Sequence, residues 1–170
     1  MREQSHNLYY MCVSTQLSRG RDHMPEQFNE REQNAWGCFL SAYARMNRII
    51  EEDLQAHSHI THVEFEVLLR LSWSEQRRVR IQDLAAQSIL TRSGVSRVVE
   101  RLEKAGLVTR EAAPEDRRGA YAVLTEAGAQ RFQIAAQKHV ACVQKHFISK
   151  FSAEELKVMG EFWKRLEEPE

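Results

Sequence analysis

Apolar residues fall three or four apart along the first periodic stretch: Trp36, Phe39, Leu40, Tyr43, Met46, Ile49, Ile50 and Leu54. That is the period of an amphipathic helix, predicted over about residues 30–56. The pattern breaks at residues 57–62. Thr61 then opens a second helix, with Glu64 three residues on as the other half of a capping box. Phe65, Leu68, Leu69 and Trp73 carry its predicted apolar face. A charged run at residues 75–80 ends it. A short helix follows around Leu84, Ala85 and Ile89. Thr91 caps the next, whose apolar positions are Val95, Val98, Val99 and Leu102, and Gly106 is placed to stop it.

The texture then changes. Residues 107–111 and 120–124 are short runs containing β-formers. The polar stretch between them, residues 112–119, holds Pro114 and Gly119, which predicts a β-hairpin with a long charged tip. Thr125 opens a long helix through Phe132, Ile134, Val140, Val143 and Phe147. Ser152 and Glu155 form another capping box before a last helix with Leu156, Met159, Phe162, Trp163 and Leu166. The predicted order is four helices, a hairpin and two helices. Residues 1–28 are polar and aperiodic and predict a flexible arm. Residues 29–170 predict a single domain, mainly α with a small β-wing.

Composition adds limits. At 170 residues the chain is the size of one average domain. With 42% hydrophobic and 28% charged residues it reads as soluble and globular. No run of 18 apolar residues occurs, so no membrane partner is expected. Lys+Arg and Asp+Glu tie at 24 each, so only the placement of charge is informative. From residue 70 to 118, eleven Lys or Arg stand against seven Asp or Glu, a net of +4; from 151 to 170, three stand against six, a net of −3. A basic middle and an acidic tail hide inside the neutral total.

Cys12, Cys38 and Cys142 are too few and too scattered for a disulfide framework or a zinc site. That usage fits a reducing cytoplasm, and no basic stretch followed by an apolar segment marks a secretory signal. His57, His59 and His62, with Glu64 and Glu66 nearby, have the residue types that zinc accepts. At a helix–loop–helix junction they read instead as a solvated loop. No metal or cofactor is expected.

Two short helices joined tightly, with a hairpin directly after the second, describe a winged helix-turn-helix. The second helix of such a motif enters the DNA major groove, where each base pair shows a distinct donor–acceptor pattern. Here its first turns run Thr91-Arg92-Ser93-Gly94-Val95-Ser96-Arg97, with no acidic residue before Glu100. Gly94 permits close backbone approach. Arg92 and Arg97 can reach guanine acceptors or phosphates, and Arg101 extends the basic series. Thr91, Ser93 and Ser96 read either as caps and phosphate contacts or as base readers. At the hairpin tip Arg117 and Arg118 can reach the minor groove. The expected partner is double-stranded DNA.

The run from Thr91 to Val108 resembles the recognition helix and following strand of MarR-family transcriptional regulators. Asp116-Arg117-Arg118, with Leu124-Thr125 six residues later, is similar to that family's wing. The likeness covers about residues 30–168. It implies a winged helix-turn-helix over about 61–124 and dimerisation helices over about 30–56 and 125–168. It implies a homodimer on a pseudo-palindromic operator, acting as a ligand-responsive repressor. It also implies that Asp116 orients the wing arginines, and that a small, often aromatic effector binds between the dimerisation helices and the DNA-binding lobe. Trp36, Tyr43, His62, Phe65 and Trp73 are the candidate pocket residues, with core packing as their plainer reading. Two positions depart from the pattern. Gln82 stands where Ser or Thr would cap the motif's first helix better, and Ala122 where a larger β-branched residue is usual.

Three other readings compete. Cys38 sits where a peroxide-sensing branch of the family carries its cysteine, but the second helix offers no supporting tyrosine, so Cys38 reads as a small core residue. A winged helix that serves only as a protein-interaction module would not require the basic residues at 92, 97, 117 and 118. An enzyme using Cys38 or Cys142 with a histidine is not expected: no nucleophile elbow, Gly-rich loop or paired-carboxylate motif accompanies them.

Overall fold

The computed structural model describes residues 28–86, 91–113 and 116–167. The expected flexible arm and Ile89 fall outside the described residues, apart from Phe28. The described residues divide into two compact units, which part between Ala42 and Tyr43. Among the described residues six helices and three strands follow in order: α1 (Glu30–Ser58), α2 (His62–Trp73), β1 (Arg78–Arg80), α3 (Ile81–Ala86), α4 (Arg92–Lys104), β2 (Val108–Ala113), β3 (Asp116–Leu124), α5 (Glu126–His146) and α6 (Ala153–Glu167). A short 3-10 turn, Ile148–Lys150, precedes α6. No helix among the described residues is long and apolar enough to cross a membrane.

In the first unit α1 begins at a capping box. Asn29 Oδ1 accepts from the Arg31 and Glu32 amides, and Glu32 returns the bond by accepting from the Asn29 amide at 2.8 Å. Trp36 and Phe39 stack at 5.6 Å. Cys38 is exposed here, with Sγ 3.6 Å from Asn34 Oδ1. The expectation of a core cysteine is corrected: its side chain is on the exposed side of this stretch of α1.

The second unit is built around a continuous apolar core. Leu54 of α1, Leu68 and Leu71 of α2, Leu84 of α3, and Val95, Val99 and Leu102 of α4 are fully buried. Phe65 and Val67 join them, but Trp73, placed by periodicity on the same face, is 76% exposed. It is the last residue of α2, where Ser74 turns extended and carries the chain into β1.

The sheet is antiparallel, in the order β1-β3-β2. Arg80 pairs with Tyr121 and Val108 with Leu124. The charged run thus contains a strand that the sequence reading assigned to no element. Three residues are too short for a period-two signal. The wing is also longer than expected: residues 116–119 belong to β3, with a bulge between Ala112 and Ala113. Ala122 has no exposure at all, and its small side chain seats the sheet on the core.

The end of α4 shows how sequence sets a boundary. Gly106 has φ +71°, a left-handed value that costs a β-carbon-bearing residue about 1 kcal/mol. From there the Leu107 amide donates to Leu102 O and the Gly106 amide to Glu103 O, both at 2.9 Å. This Schellman arrangement satisfies carbonyls the helix leaves unpaired. Leu107 drops into the core, 5% exposed. Thr125 then caps α5, its hydroxyl accepting from the Gly128 amide and donating to Gly106 O.

Candidate nucleic-acid interface

The outer side of α4 is fixed by what its inner side buries. Val95, Val98, Val99 and Leu102 face the core, which turns Arg92, Ser93, Arg97 and Glu100 to solvent. Thr91 Oγ1 accepts from the Gly94 amide at 3.2 Å and lies 3.1 Å from Ser93 Oγ. The Thr91 hydroxyl therefore acts as the N-cap. Arg92 and Arg97 make no side-chain hydrogen bond or ion pair among the described residues, so both guanidinium groups face water. The N-terminal turn of α4 carries no acidic residue, and its unpaired amides favour an anion there.

Beside that turn runs a groove of about 520 Å³, lined by Arg80, Gln82, Arg92, Ser96, Arg110 and Gly119 among others. Among the described residues three arginines and no carboxylate line it. Arg110 also braces α4: Nη2 donates to Ser96 O at 2.9 Å, and Nε is 3.3 Å from Glu103. On the opposite flank Arg101 Nε donates to Glu64 Oε1 at 2.9 Å. The structure thus separates the arginines of α4. Arg92 and Arg97 face outward, whereas Arg101 is engaged by α2.

In the wing, the Asp116 side chain lies over Gly119: a β-carbon there would stand 2.8 Å from Asp116 Oδ2 and displace the carboxylate. The Asp116 carboxylate folds back over its own strand. Arg117 and Arg118 belong to β3, but their side chains lie outside the described set. On the outer sheet face the Tyr121 ring holds the Arg78 guanidinium at 4.0 Å and that of Arg80 at 5.6 Å.

The expected effector residues are partly assembled. Phe65 of α2 stacks on Phe132 of α5 at 5.5 Å and meets His139 at 4.7 Å; His62 stacks on His139 at 6.2 Å. Trp73 lies at the far end of α2 from this cluster, Tyr43 is half-exposed, and Trp36 belongs to the first unit. His139 escaped the sequence reading, although its spacing of seven from Phe132 puts both on one side of α5. Among the described residues no group of three or more His, Cys, Asp or Glu is placed to hold a metal ion. His57 Nδ1 is instead 2.9 Å from Asp53 O.

Burial holds the His139 imidazole below the usual histidine range; His62 pushes the same way and Asp53 opposes. Its Nδ1 is buried with no hydrogen-bond partner among the described residues. Burial likewise raises the Cys142 thiol. A folded-state pKa below the unfolded value means that the unfolded chain binds more protons in that window. Stability therefore rises with pH through it and falls on acidification below about pH 6.5. His139→Phe is expected to keep the stacking on Phe65 and to flatten that part of the profile, which thermal melts between about pH 5 and 7.5 measure. An unchanged acid slope would assign the loss to other groups.

A winged helix-turn-helix with a basic, outward-facing second helix is the class that this geometry defines. The MarR family matches over residues 60–119. The chain is similar to Sco3205 of Streptomyces coelicolor, a MarR family transcriptional regulator solved in complex with DNA. Identity is 32%, 85% of this chain and 93% of that one are covered, and the TM-score is 0.80. It is similar to AbsC, a MarR family regulator of the same organism, at 36% identity over 84% and 95% of the two chains, TM-score 0.78. It also resembles the HTH-type transcriptional regulator MhqR of Bacillus subtilis, 29% identical over 72% of this chain and 85% of that protein. The chain belongs to the MarR family of transcriptional regulators.

Proposed function

We propose that the chain binds DNA sequence-specifically as a homodimer and acts as a ligand-responsive repressor on a pseudo-palindromic operator. The observation that carries this reading is the division of labour on α4. Its flanks are braced by Arg101 and Arg110, while Arg97 stands outward and Arg92 lines a groove with no carboxylate among the described residues. Such a helix fits the major groove, with Arg97 reading a base edge and Arg92, Ser93 and Ser96 serving base edges or phosphates. The Thr91 hydroxyl is taken up by capping. In the same reading Arg117 and Arg118 of the wing would reach the adjacent minor groove, with Asp116 orienting them. The DNA complex of Sco3205 supports the same use of a similar fold.

The dimer reading is supported by apolar surface that a lone chain leaves in water. Val158, Phe162, Trp163 and Leu166 of α6 are all exposed. A two-fold axis would set the two recognition helices about 34–36 Å apart, one turn of B-DNA. The His62, Phe65, Phe132 and His139 cluster at the α2–α5 junction supports an aromatic effector site, since it sets apolar ring faces beside two titratable groups.

The test is DNA binding as a function of salt. If a dimer covers about 8 phosphates, log K is expected to fall against log salt with a slope of about −7. A flat response would reject the DNA-binding reading. Arg97→Ala is expected to cost about 1–3 kcal/mol and to relax preference at one position per half-site. A loss spread evenly over all sequences would make Arg97 a phosphate contact instead.

A further inference from the structure

Glu64 does two jobs with its two carboxylate oxygens. Oε2 accepts from the Thr61 amide at 2.9 Å and closes the capping box of α2. Oε1 accepts from Arg101 Nε at 2.9 Å, across 37 residues of sequence, on α4. The carboxylate is 12% exposed while the guanidinium is half-exposed, so the acid is the fixed partner and the arginine the one held. Without that hold, Arg101 would stand one turn beyond Arg97 on the open side of α4, a long cation beside the path of a DNA backbone.

We propose that Glu64 is a specificity-determining residue of the DNA interface: it withholds Arg101 from phosphate and, opposite Arg110, fixes the roll of the recognition helix. This inference rests on the DNA-binding reading above. Phosphate contacts bind every sequence alike and so raise competing non-specific affinity. Neutralising Arg101 within the protein lowers that background. Bracing α4 on both flanks keeps Arg97 aimed at one base position. The acid that performs this is legible in the sequence only as half of a cap.

Glu64→Gln separates the two jobs. The amide oxygen still accepts from the Thr61 amide, so α2 stays capped, but the amide NH2 then faces Arg101 and cannot accept from it. Arg101→Gln removes the guanidinium itself. The probes are a duplex enriched by the wild-type protein from a random library and an unrelated duplex of equal length. For Glu64→Gln the ratio of specific to non-specific affinity is expected to fall about three- to tenfold. Its salt slope on the unrelated duplex is expected to steepen by about 2 per dimer, one freed arginine per protomer. For Arg101→Gln the ratio is expected to fall by a similar factor with the salt slope unchanged. Both variants are expected to melt within a few degrees of wild type.

A shallower slope for Arg101→Gln would show that Arg101 neutralises a phosphate in the native protein, and would overturn the proposal. An unaltered ratio or an unaltered slope for Glu64→Gln would overturn it as well. Failure of the wild type to enrich any sequence or to shift either duplex would instead remove the DNA-binding reading beneath it.

Discussion

Trp163→Glu is expected to convert a dimer into single chains and to abolish operator binding without touching any residue on α4 or the wing. Three large apolar side chains cluster within five residues of α6: Phe162 and Trp163 are about half-exposed, and Leu166 is 75% exposed. Within one chain Arg165 covers part of Phe162, its guanidinium 5.2 Å from the ring centroid. In an isologous interface each of these residues meets the same surface of a second copy. A glutamate at 163 would then be desolvated with no partner, a cost of about 3–5 kcal/mol that occurs twice in a two-fold dimer. A single chain contacts one half-site only, so affinity is expected to fall toward the non-specific level, about 10³-fold or more. Light scattering and mobility shift on the same samples check both halves. A wild-type particle near the 19.8 kDa of one chain would reject the dimer. A dimeric Trp163→Glu that still binds the operator would place the interface elsewhere.

The parts legible from sequence are those whose causes are local. Thr61 with Glu64, Thr91, Gly106, Thr125 and Ser152 with Glu155 each mark a helix end, and the structure has a boundary at every one. Each needs only neighbours within a few residues, which is the range over which a sequence pattern carries information. What escaped depends on distant partners. β1 is a strand only because Val79 and its neighbours find Ala122 on β3. Arg101 lies one helical turn beyond Arg97 on α4, and it is the arrival of Glu64 from α2 that separates them. His139 gains its environment from Phe65 and His62 on another helix. Trp73 illustrates the converse. Its spacing from Phe65 was correct for an apolar face, but α2 ends there, and a side chain on the last residue has no facing helix to meet.

The most damaging small change inside one chain is expected at Gly128, where adding a single methyl group separates α5 from the end of the recognition helix. Gly128 lies in the first turn of α5, pressed against the connection from α4 to β2. A β-carbon there would stand 2.0 Å from Leu107 O, 2.9 Å from Leu107 C and 2.8 Å from Leu124 Cδ1. Two of those atoms are backbone, so a side-chain rotation cannot relieve the clash. Relief requires the α5 turn to lift, and the Thr125 amide bond to Leu107 O at 3.1 Å and the Thr125 hydroxyl bond to Gly106 O at 2.8 Å lie in its way. Overpacking of this kind costs about 1–3 kcal/mol, more where backbone must move. Alanine's better helix propensity returns less than about 1 kcal/mol of it. A net loss of about 2–3 kcal/mol corresponds to a midpoint lower by about 4–12 °C for a chain of this size. Because Leu107 and Gly106 also close the C-terminal cap of α4, the strain is expected to reach the recognition helix, so operator affinity should fall even where the variant is fully folded. Thermal melting and salt-matched DNA titration of Gly128→Ala measure the two effects. An unchanged midpoint would mean that α5 does not seat on the Leu107 carbonyl and that the recognition helix is capped independently of it.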